Sequence, residues 1–219
     1  MRTPSILLTW VVTCLWLSAT NAQAHKVRFV AFDLPVSAGA CKLIPAADEK
    51  NTTSADVGIS RFSKVINMPP GLYRLVLPDG KTTGRLNLDG EATQARIAIV
   101  LPGPEGTVTI LTVSDETSTF GAGDRLFINA TISDIRVQIG DRNLTCKPGT
   151  TQMIKPPGQS KEGRFPVRMG YLKDDEWLIF NSTWWPDDRA CRSLVLLYPN
   201  TTTGAPGVKT IEEIPSQAK

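Results

Sequence analysis

The sequence is divided into many short apolar segments, each long enough for a β-strand and too short for a typical helix. Turn sequences rich in glycine and proline separate them, among them Pro69-Pro70-Gly71 and Asp79-Gly80. Asp-Gly between apolar segments favours a two-residue hairpin, because both residues tolerate a positive φ. No ten-residue window combines a helical apolar period with capping residues. The pattern predicts an all-β protein built as an antiparallel β-sandwich.

The predicted strands recur at short intervals along the chain and share alternating or continuous apolar character. They are Val27–Leu34, Ala40–Ile44, Arg61–Met68, Leu72–Leu77, Arg85–Leu88, Arg96–Leu101, Thr107–Val113, Arg125–Thr131, Ile135–Ile139, Leu144–Cys146, Thr151–Ile154, Phe165–Leu172, Trp177–Thr183, Ser193–Tyr198 and Val208–Ile214.

The two halves of the chain are loosely alike. Arg28-Phe29-Val30 matches Leu126-Phe127-Ile128, and the Pro-Gly turn after Met68 matches the one after Cys146. We therefore expect two Ig-like sandwich units in tandem, residues 25–117 and 118–219, with the linker-like stretch Thr117–Gly123 at the join. A single larger sandwich is the alternative.

Residues 1–24 have the organisation of a secretory signal peptide. Arg2 supplies the positive start, Ile6–Leu17 the apolar stretch, and Ala22-Gln23-Ala24 the small-residue cleavage site. The apolar stretch is shorter than the ~20 residues that a membrane-spanning helix needs, and no later segment is long enough. We expect bacterial export to the periplasm or medium, with the mature chain beginning at His25 and lacking a transmembrane segment.

Cleavage removes Cys14 and leaves Cys41, Cys146 and Cys191. An oxidising compartment permits one intramolecular disulfide among three cysteines. If a pair forms, Cys146 with Cys191 is favoured because both lie in the same half. The alternative is three buried, unpaired cysteines that act as small apolar side chains.

The charge balance and the single histidine exclude several function classes. The chain has 24 Lys and Arg against 21 Asp and Glu, without a basic run, which argues against a nucleic-acid partner. One histidine excludes a Ser-His-Asp triad and zinc sites built on several imidazoles. His25 would offer copper its amine and imidazole at the new N-terminus, but the second imidazole is missing. We predict no metal or cofactor, and a solvated His25 at the start of the first strand.

Three acidic clusters are the remaining candidates for hydrolysis. They are Asp174-Asp175-Glu176, Asp187-Asp188 and Glu212-Glu213. General acid–base catalysis needs two carboxylates at a defined separation, and no motif here specifies one. The first cluster lies between two predicted strands, which is typical of a solvated hairpin tip. The sequence favours a protein that is not an enzyme and leaves hydrolysis open.

The most distinctive group is aromatic: Trp177, Trp184, Trp185 and Tyr198. If the strand continues through Trp184 and Trp185, alternation points the two rings to opposite faces, so that at least one leaves the core. An exposed ring could stack on a sugar or a partner surface. The alternative is that both faces are covered.

Arg189 and Arg192 are close enough in sequence to stack on these rings or to pair with the nearby aspartates. The predicted binding residues are Trp184, Trp185, Arg189, Arg192 and Tyr198.

The second half resembles a family of uncharacterised secreted bacterial β-sandwich proteins. The resemblance is carried by Asp124–Thr131 and its continuation to Lys147-Pro148-Gly149, by Trp177–Trp184, and by Arg192–Val195, within residues 123–215. It implies an exported β-sandwich and no particular chemistry.

Together these features predict a non-enzymatic exported β-sandwich protein that acts as a binding or structural interaction module. Its contact surface would be strand edges and the Trp177–Arg192 region. The partner would be another exported protein or a cell-surface glycan. The alternative is a carbohydrate-binding module or weak glycan hydrolase that uses its exposed tryptophans.

Overall fold

The computed structural model describes residues 24–34, 39–90, 94–155, 157–158, 160–200 and 202–215. The predicted signal peptide lies outside these residues except for Ala24. The described chain is all-β, as predicted. Its strands, in chain order, are β1 His25–Ala31, β2 Ala40–Pro45, β3 Thr53–Asp56, β4 Ile66–Met68, β5 Leu72–Val76, β6 Thr83–Asn87, β7 Ala95–Pro102, β8 Val108–Ser114, β9 Arg125–Asn129, β10 Ile135–Ile139, β11 Arg142–Cys146, β12 Thr151–Ile154, β13 Arg164–Lys173, β14 Glu176–Pro186, β15 Arg192–Pro199 and β16 Pro206–Glu213.

The strands form four sheets of four strands each, arranged as two sandwich units. In the first unit, β3-β2-β5-β6 is the first outer sheet and β4-β1-β7-β8 is the first inner sheet. In the second unit, β12-β9-β15-β16 is the second inner sheet and β11-β10-β13-β14 is the second outer sheet. The predicted tandem sandwich units are confirmed, and the exact limits at residues 117 and 118 stay a prediction.

The second unit repeats the topology of the first. Adding eight to each strand number converts both sheets of the first unit into those of the second. The predicted match of Phe29 in β1 with Phe127 in β9 agrees with this correspondence. The predicted match of the turns after Met68 and Cys146 is wrong, because the first joins β4 to β5 and the second joins β11 to β12. A Pro-Gly sequence occurs in many β-turns, so its presence in both halves does not show that the two turns are equivalent.

Each inner sheet contains one parallel strand pair at its centre. β1 pairs with β7 and β9 pairs with β15 in parallel register. Their sequences are nearly continuous apolar runs, such as Ile97–Leu101 and Leu194–Leu197. Such runs are typical of strands covered on both faces. The remaining named strand pairs are antiparallel.

The four sheets stack as layers with three apolar cores between them. Phe29 faces the core inside the first unit, and Phe127 faces the core inside the second. The middle core joins the two inner sheets, with Ile99 of β7 and Leu196 of β15 both buried in it. The two units therefore share an apolar interface.

A network of four charges closes this interface at one end. Arg28 of the first unit donates two hydrogen bonds of 2.7 and 2.8 Å to Asp115 and two of 2.8 Å to Glu213 of the second unit. Arg192 of the second unit donates to both carboxylates and also to the carbonyl of Phe120 at 2.8 Å. Two cations and two anions thus pair across the interface with their charges balanced.

The network shifts the pKa values of Glu213 and Arg28 toward their charged forms. Burial alone would raise the pKa of Glu213, but hydrogen bonds from Arg28 and Arg192 hold it below its usual value. Burial would likewise lower the pKa of Arg28, and its bonds to Glu213 and Asp115 raise it instead. All four groups are partly or fully removed from water.

Cys146 and Cys191, the pair favoured if a disulfide forms, are not bonded to each other, and the three described cysteines are free thiols, as in the alternative of unpaired cysteines. Cys146 lies beside the end of β9, where Asn129 donates to its carbonyl at 2.8 Å. Cys191 lies beside the start of β9, with its carbonyl accepting from Gly123 at 2.7 Å. The length of a five-residue strand, about 13 Å, exceeds the Cα separation that a disulfide can bridge.

The prediction of a solvated His25 is wrong. The side chain is fully buried, and its Nε2 lies 2.8 Å from the carbonyl oxygen of Leu88. His25 begins β1 directly opposite Met68 of β4, so that the start of the first strand is already inside the first unit.

In the part of the chain that the structure covers, no helix has the length and apolar character needed to cross a membrane.

Replacing Glu213 by Gln tests the charge network. Glu213→Gln leaves two arginines facing one carboxylate, and we expect the free energy of unfolding to fall by about 3 kcal/mol, as for other buried pairs that lose one partner. Glu212→Gln, at the exposed neighbouring position on β16, should change it by less than about 0.5 kcal/mol. Urea denaturation of the three proteins measures both values, and equal effects would contradict the role of the network.

The same network predicts an acid-labile component of stability. Because the folded-state pKa of Glu213 is depressed, its contribution is complete above the unfolded-state pKa of about 4.3 and is lost as the pH falls through the lower folded value. The stability difference between wild type and Glu213→Gln should therefore shrink from pH 6 toward pH 3. Urea midpoints across this range measure it, and a constant difference would refute this assignment.

Candidate functional site

The outer face of the second outer sheet carries the best candidate site. Its two central strands, β10 and β13, alternate between core and surface: Val137 and Val167 are buried, whereas Arg136, Gln138 and Arg168 are exposed. β10 pairs with both β11 and β13, and β13 pairs with β14, so the outward-facing side chains of the four strands lie side by side.

A β-bulge in β14 determines which aromatic rings share this face. Gly170 pairs with Ile179 and Met169 pairs with Asn181, which leaves Phe180 as the extra residue. An extra residue reverses the alternation of side chains along the strand. Trp177 and Trp184 therefore lie on the same outer face, whereas uninterrupted alternation places them on opposite faces.

The two adjacent tryptophans do point in opposite directions, as the alternation predicts. Trp184 is 52% exposed on the outer face. Trp185 packs against the core of the second unit, where its ring stacks on Phe127 with the ring centres 6.2 Å apart. The guanidinium of Arg125 lies 5.9 Å from its ring centre. The alternative in which both rings are covered is thus not observed.

The other three predicted binding residues lie elsewhere in the fold. Arg192 is 3% exposed and belongs to the charge network between the units. Arg189 donates to Asp187 at 3.0 Å and to the carbonyls of Pro157 and Gly158 at 3.0 and 3.3 Å.

Tyr198 packs against the middle core with Lys209 above its ring. The structure does not bring the five predicted residues together. Their role as ligand contacts stays a prediction, and Trp184 alone among them lies on the outer face.

Two adjoining grooves run across the outer face. One encloses about 580 Å³ and touches all four strands; its lining is Arg136, Val137, Gln138, Asn143, Leu144, Thr145, Arg168, Gly170, Trp177 and Ile179. The other encloses about 410 Å³ beside Trp184; its lining is Gln138, Pro166, Val167, Arg168, Ser182, Thr183 and Trp184. Gln138 and Arg168 line both grooves and therefore lie where they meet.

The electrostatic character of this face is cationic. Among the described residues, no carboxylate lines either groove, and neither Arg136 nor Arg168 forms a salt bridge. The guanidinium of Arg136 lies 3.9 Å from the ring centre of Trp177. Stacking on an aromatic face holds the planar guanidinium in a fixed orientation.

Each acidic cluster considered for hydrolysis contains a residue with a structural role. Asp174 and Asp175 have φ values of 47° and 65° and form the two-residue turn between β13 and β14, as the prediction of a hairpin tip requires. Glu213 belongs to the charge network. A hydrogen bond from the Cys191 thiol, with further bonds from backbone N–H groups, lowers the pKa of the Asp188 carboxyl.

Sequence reasoning missed Arg136, Gln138, Asn143 and Arg168 as parts of a site. In the sequence these residues are the polar positions of segments in which polar and apolar residues alternate, for example Arg136-Val137-Gln138. Alternation identifies a solvent-facing side, but every amphipathic strand has one. Only the pairing register shows that these positions meet.

Another cavity, of about 540 Å³, lies where the two units meet. Apolar side chains of both units line it, including Leu101 and Leu196, together with Tyr198 and Asp33. Lys209 forms a salt bridge with Asp33 at its rim. The charge of Asp33 is thus already compensated within the protein.

Comparisons with known proteins leave the family open. No protein-family model matches the chain, and no curated protein matches it. A solved structure of a candidate cell adhesion protein from Bacteroides ovatus is similar over 90% of this chain and 99% of that chain, at 8% identity and a TM-score of 0.26. A TM-score of this size supports neither a shared fold nor a shared function.

The different environments of the adjacent tryptophans predict different costs of removal. Trp184→Ala removes an exposed ring and should change the free energy of unfolding by less than about 0.5 kcal/mol. Trp185→Ala removes a ring packed on Phe127 and should cost about 2 kcal/mol or more. Urea denaturation compares the two variants, and an equal loss would contradict the assignment of Trp184 to the surface.

Proposed function

We propose that this protein is an exported, non-enzymatic binding module whose contact surface is the outer face of the second outer sheet. The observation that carries the proposal is Trp184, a half-exposed ring that lines the smaller groove together with Arg168. Arg168 lines both grooves and forms no salt bridge with any residue in the described part of the chain. Exposed aromatic rings and arginines are the residues that most often dominate binding energy at interfaces.

The internal repeat supports the proposal. The first outer sheet has the same strand order as the second, yet its only aromatic residue, Tyr73, is buried in the core. The scaffold therefore does not need aromatic rings on its outer face. Trp177 and Trp184 are additions to one copy of the scaffold, which favours a role in binding over a role in folding.

The charge pattern of the two outer faces supports the same choice. A groove lined by residues of the first outer sheet and of β8 contains Arg74 and Arg85 but also Glu49, which approaches Arg74 to 3.7 Å. Among the described residues, no carboxylate lines the grooves that contain Arg136 and Arg168. A groove that holds arginines and no carboxylate is more complementary to an anionic ligand than one in which a glutamate offsets part of the positive charge.

An array of immobilised neutral polysaccharides, acidic polysaccharides and extracellular matrix proteins tests this function. We expect the mature chain to bind at least one class, and Trp184→Ala to raise the Kd for that class at least about tenfold, a loss of 1.4 kcal/mol. Arg85→Ala, on the corresponding face of the first unit, is the matched control and should leave the Kd unchanged.

Two outcomes would overturn this function. One is the absence of binding to every class on the array. The other is a bound ligand whose affinity is unchanged by Trp184→Ala or falls equally with the Arg85→Ala control. Hydrolysis of a bound polysaccharide, measured as released reducing ends, would contradict the non-enzymatic part of the proposal.

A further inference from the structure

We propose that the ligand of this outer face is an acidic polysaccharide, a chain of sugar rings that bears carboxylate or sulfate groups. The inference rests on the proposed function and specifies the chemistry of its ligand. Three properties of the face carry it: arginines with no carboxylate beside them among the described residues, a half-exposed flat ring, and neutral polar side chains in both grooves.

The arginines define the charge of the ligand. Elsewhere in the protein, some guanidinium groups are paired with carboxylates at short distance, as Arg28 is with Asp115 and Arg189 with Asp187. On the outer face, Arg136 and Arg168 line the larger groove without a described carboxylate beside them. A guanidinium presents parallel N–H donors that match the two oxygens of a carboxylate or sulfate. The face is therefore complementary to an anion.

The two tryptophans have different tasks in this arrangement. Arg136 covers the ring of Trp177 at 3.9 Å and is itself oriented by that contact. Preorganisation of this kind lowers the entropy cost of binding. Trp184 remains half exposed, which leaves a flat apolar surface for the C–H face of a sugar ring.

Neutral polar side chains complete the match to a sugar. Gln138 and Asn143 line the larger groove, and Ser182 lines the smaller one. Amide and hydroxyl groups both donate and accept hydrogen bonds, as the hydroxyl groups of sugars do. A surface for an apolar ligand would expose few such groups.

The direction of the grooves favours a polysaccharide over an acidic peptide. The larger groove touches all four strands and so runs across the face of the sheet, not along an edge. Extended peptides commonly bind by adding a strand to a sheet edge, where main-chain groups are free. Here the contacts available on the face are side chains, and they extend from Asn143 on β11 to Trp184 on β14.

Titration calorimetry with defined polymers tests the proposal. The probes are polygalacturonate for carboxylate groups, chondroitin sulfate for sulfate and carboxylate groups, neutral dextran, and poly-glutamate as the acidic peptide. We expect the mature chain to bind at least one acidic polysaccharide at least tenfold more tightly than dextran and poly-glutamate. The affinity should fall between 50 and 300 mM NaCl, since the contacts are charged. A preference for polygalacturonate or for chondroitin sulfate identifies the anionic group.

Variants on exposed positions localise the binding without disturbing the fold. Arg168→Gln and Trp184→Ala should each weaken acidic-polysaccharide binding at least tenfold. Arg168→Lys keeps the charge but loses the paired donors, and should give an intermediate loss. Arg85→Gln, on the first outer sheet, should leave the affinity unchanged. Thermal denaturation of each variant verifies that it remains folded.

The outcomes separate this inference from the proposed function. If dextran or poly-glutamate binds as tightly as the acidic polysaccharides, the proposal that the ligand is an acidic polysaccharide is wrong. The proposed binding function still stands in that case if Trp184→Ala weakens the binding. Unchanged binding of an acidic polysaccharide by Arg168→Gln overturns the inference as well. Absence of binding to all four polymers overturns it too, and the array then decides whether the face binds a protein.

Discussion

The apolar layer between the two inner sheets is the contact on which the rest of the architecture depends. Ile99 and Leu196 meet there, and the same sheets present Phe29 and Phe127 to the cores on their other sides. A sheet buried on both faces cannot carry a surface site. The sheet faces that are open to solvent are therefore the outer faces of the two outer sheets. The charge network of Arg192 with Arg28, Asp115 and Glu213 closes one end of the apolar layer.

This constraint explains why two units with the same topology can present different side chains on their outer faces. The two units have the same strand order, and within the described part of the chain no other sheet packs on the outer face of either outer sheet. In the first unit that face carries arginines with Glu49 among them. In the second, a single bulge in β14 places Trp177 and Trp184 on one side, where Arg136 and Arg168 already lie.

Most of the fold could be predicted from the sequence because strand formation depends on local patterns. Ile135–Ile139 and Thr151–Ile154 have the predicted limits. The central strands of the inner sheets were predicted from their apolar runs, but the sequence predicted antiparallel pairing throughout, and β1–β7 and β9–β15 are parallel. Thr53–Asp56 was missed because it is polar apart from Ala55, and its membership in the sheet depends on pairing with β2.

The candidate site was less predictable because it depends on contacts that are distant in sequence. Alternation placed Trp184 and Trp185 on opposite faces, but nothing local signals the bulge at Phe180 that moves Trp177 to the side of Trp184. Arg192 was predicted to contact a ligand, and its partners, Asp115 at a separation of 77 residues among them, could not be inferred from spacing.

Indole NMR during titration with a short acidic oligosaccharide shows whether the outer face of the second outer sheet is the contact surface. The described chain contains three indole groups, and the structure gives each a different expected response. The cross-peaks of Trp184 and Trp177 should move together with increasing ligand, and that of Trp185, stacked on Phe127 inside the second unit, should stay in place. Movement of the Trp185 cross-peak alone, or of none of the three at saturating ligand, would contradict the account.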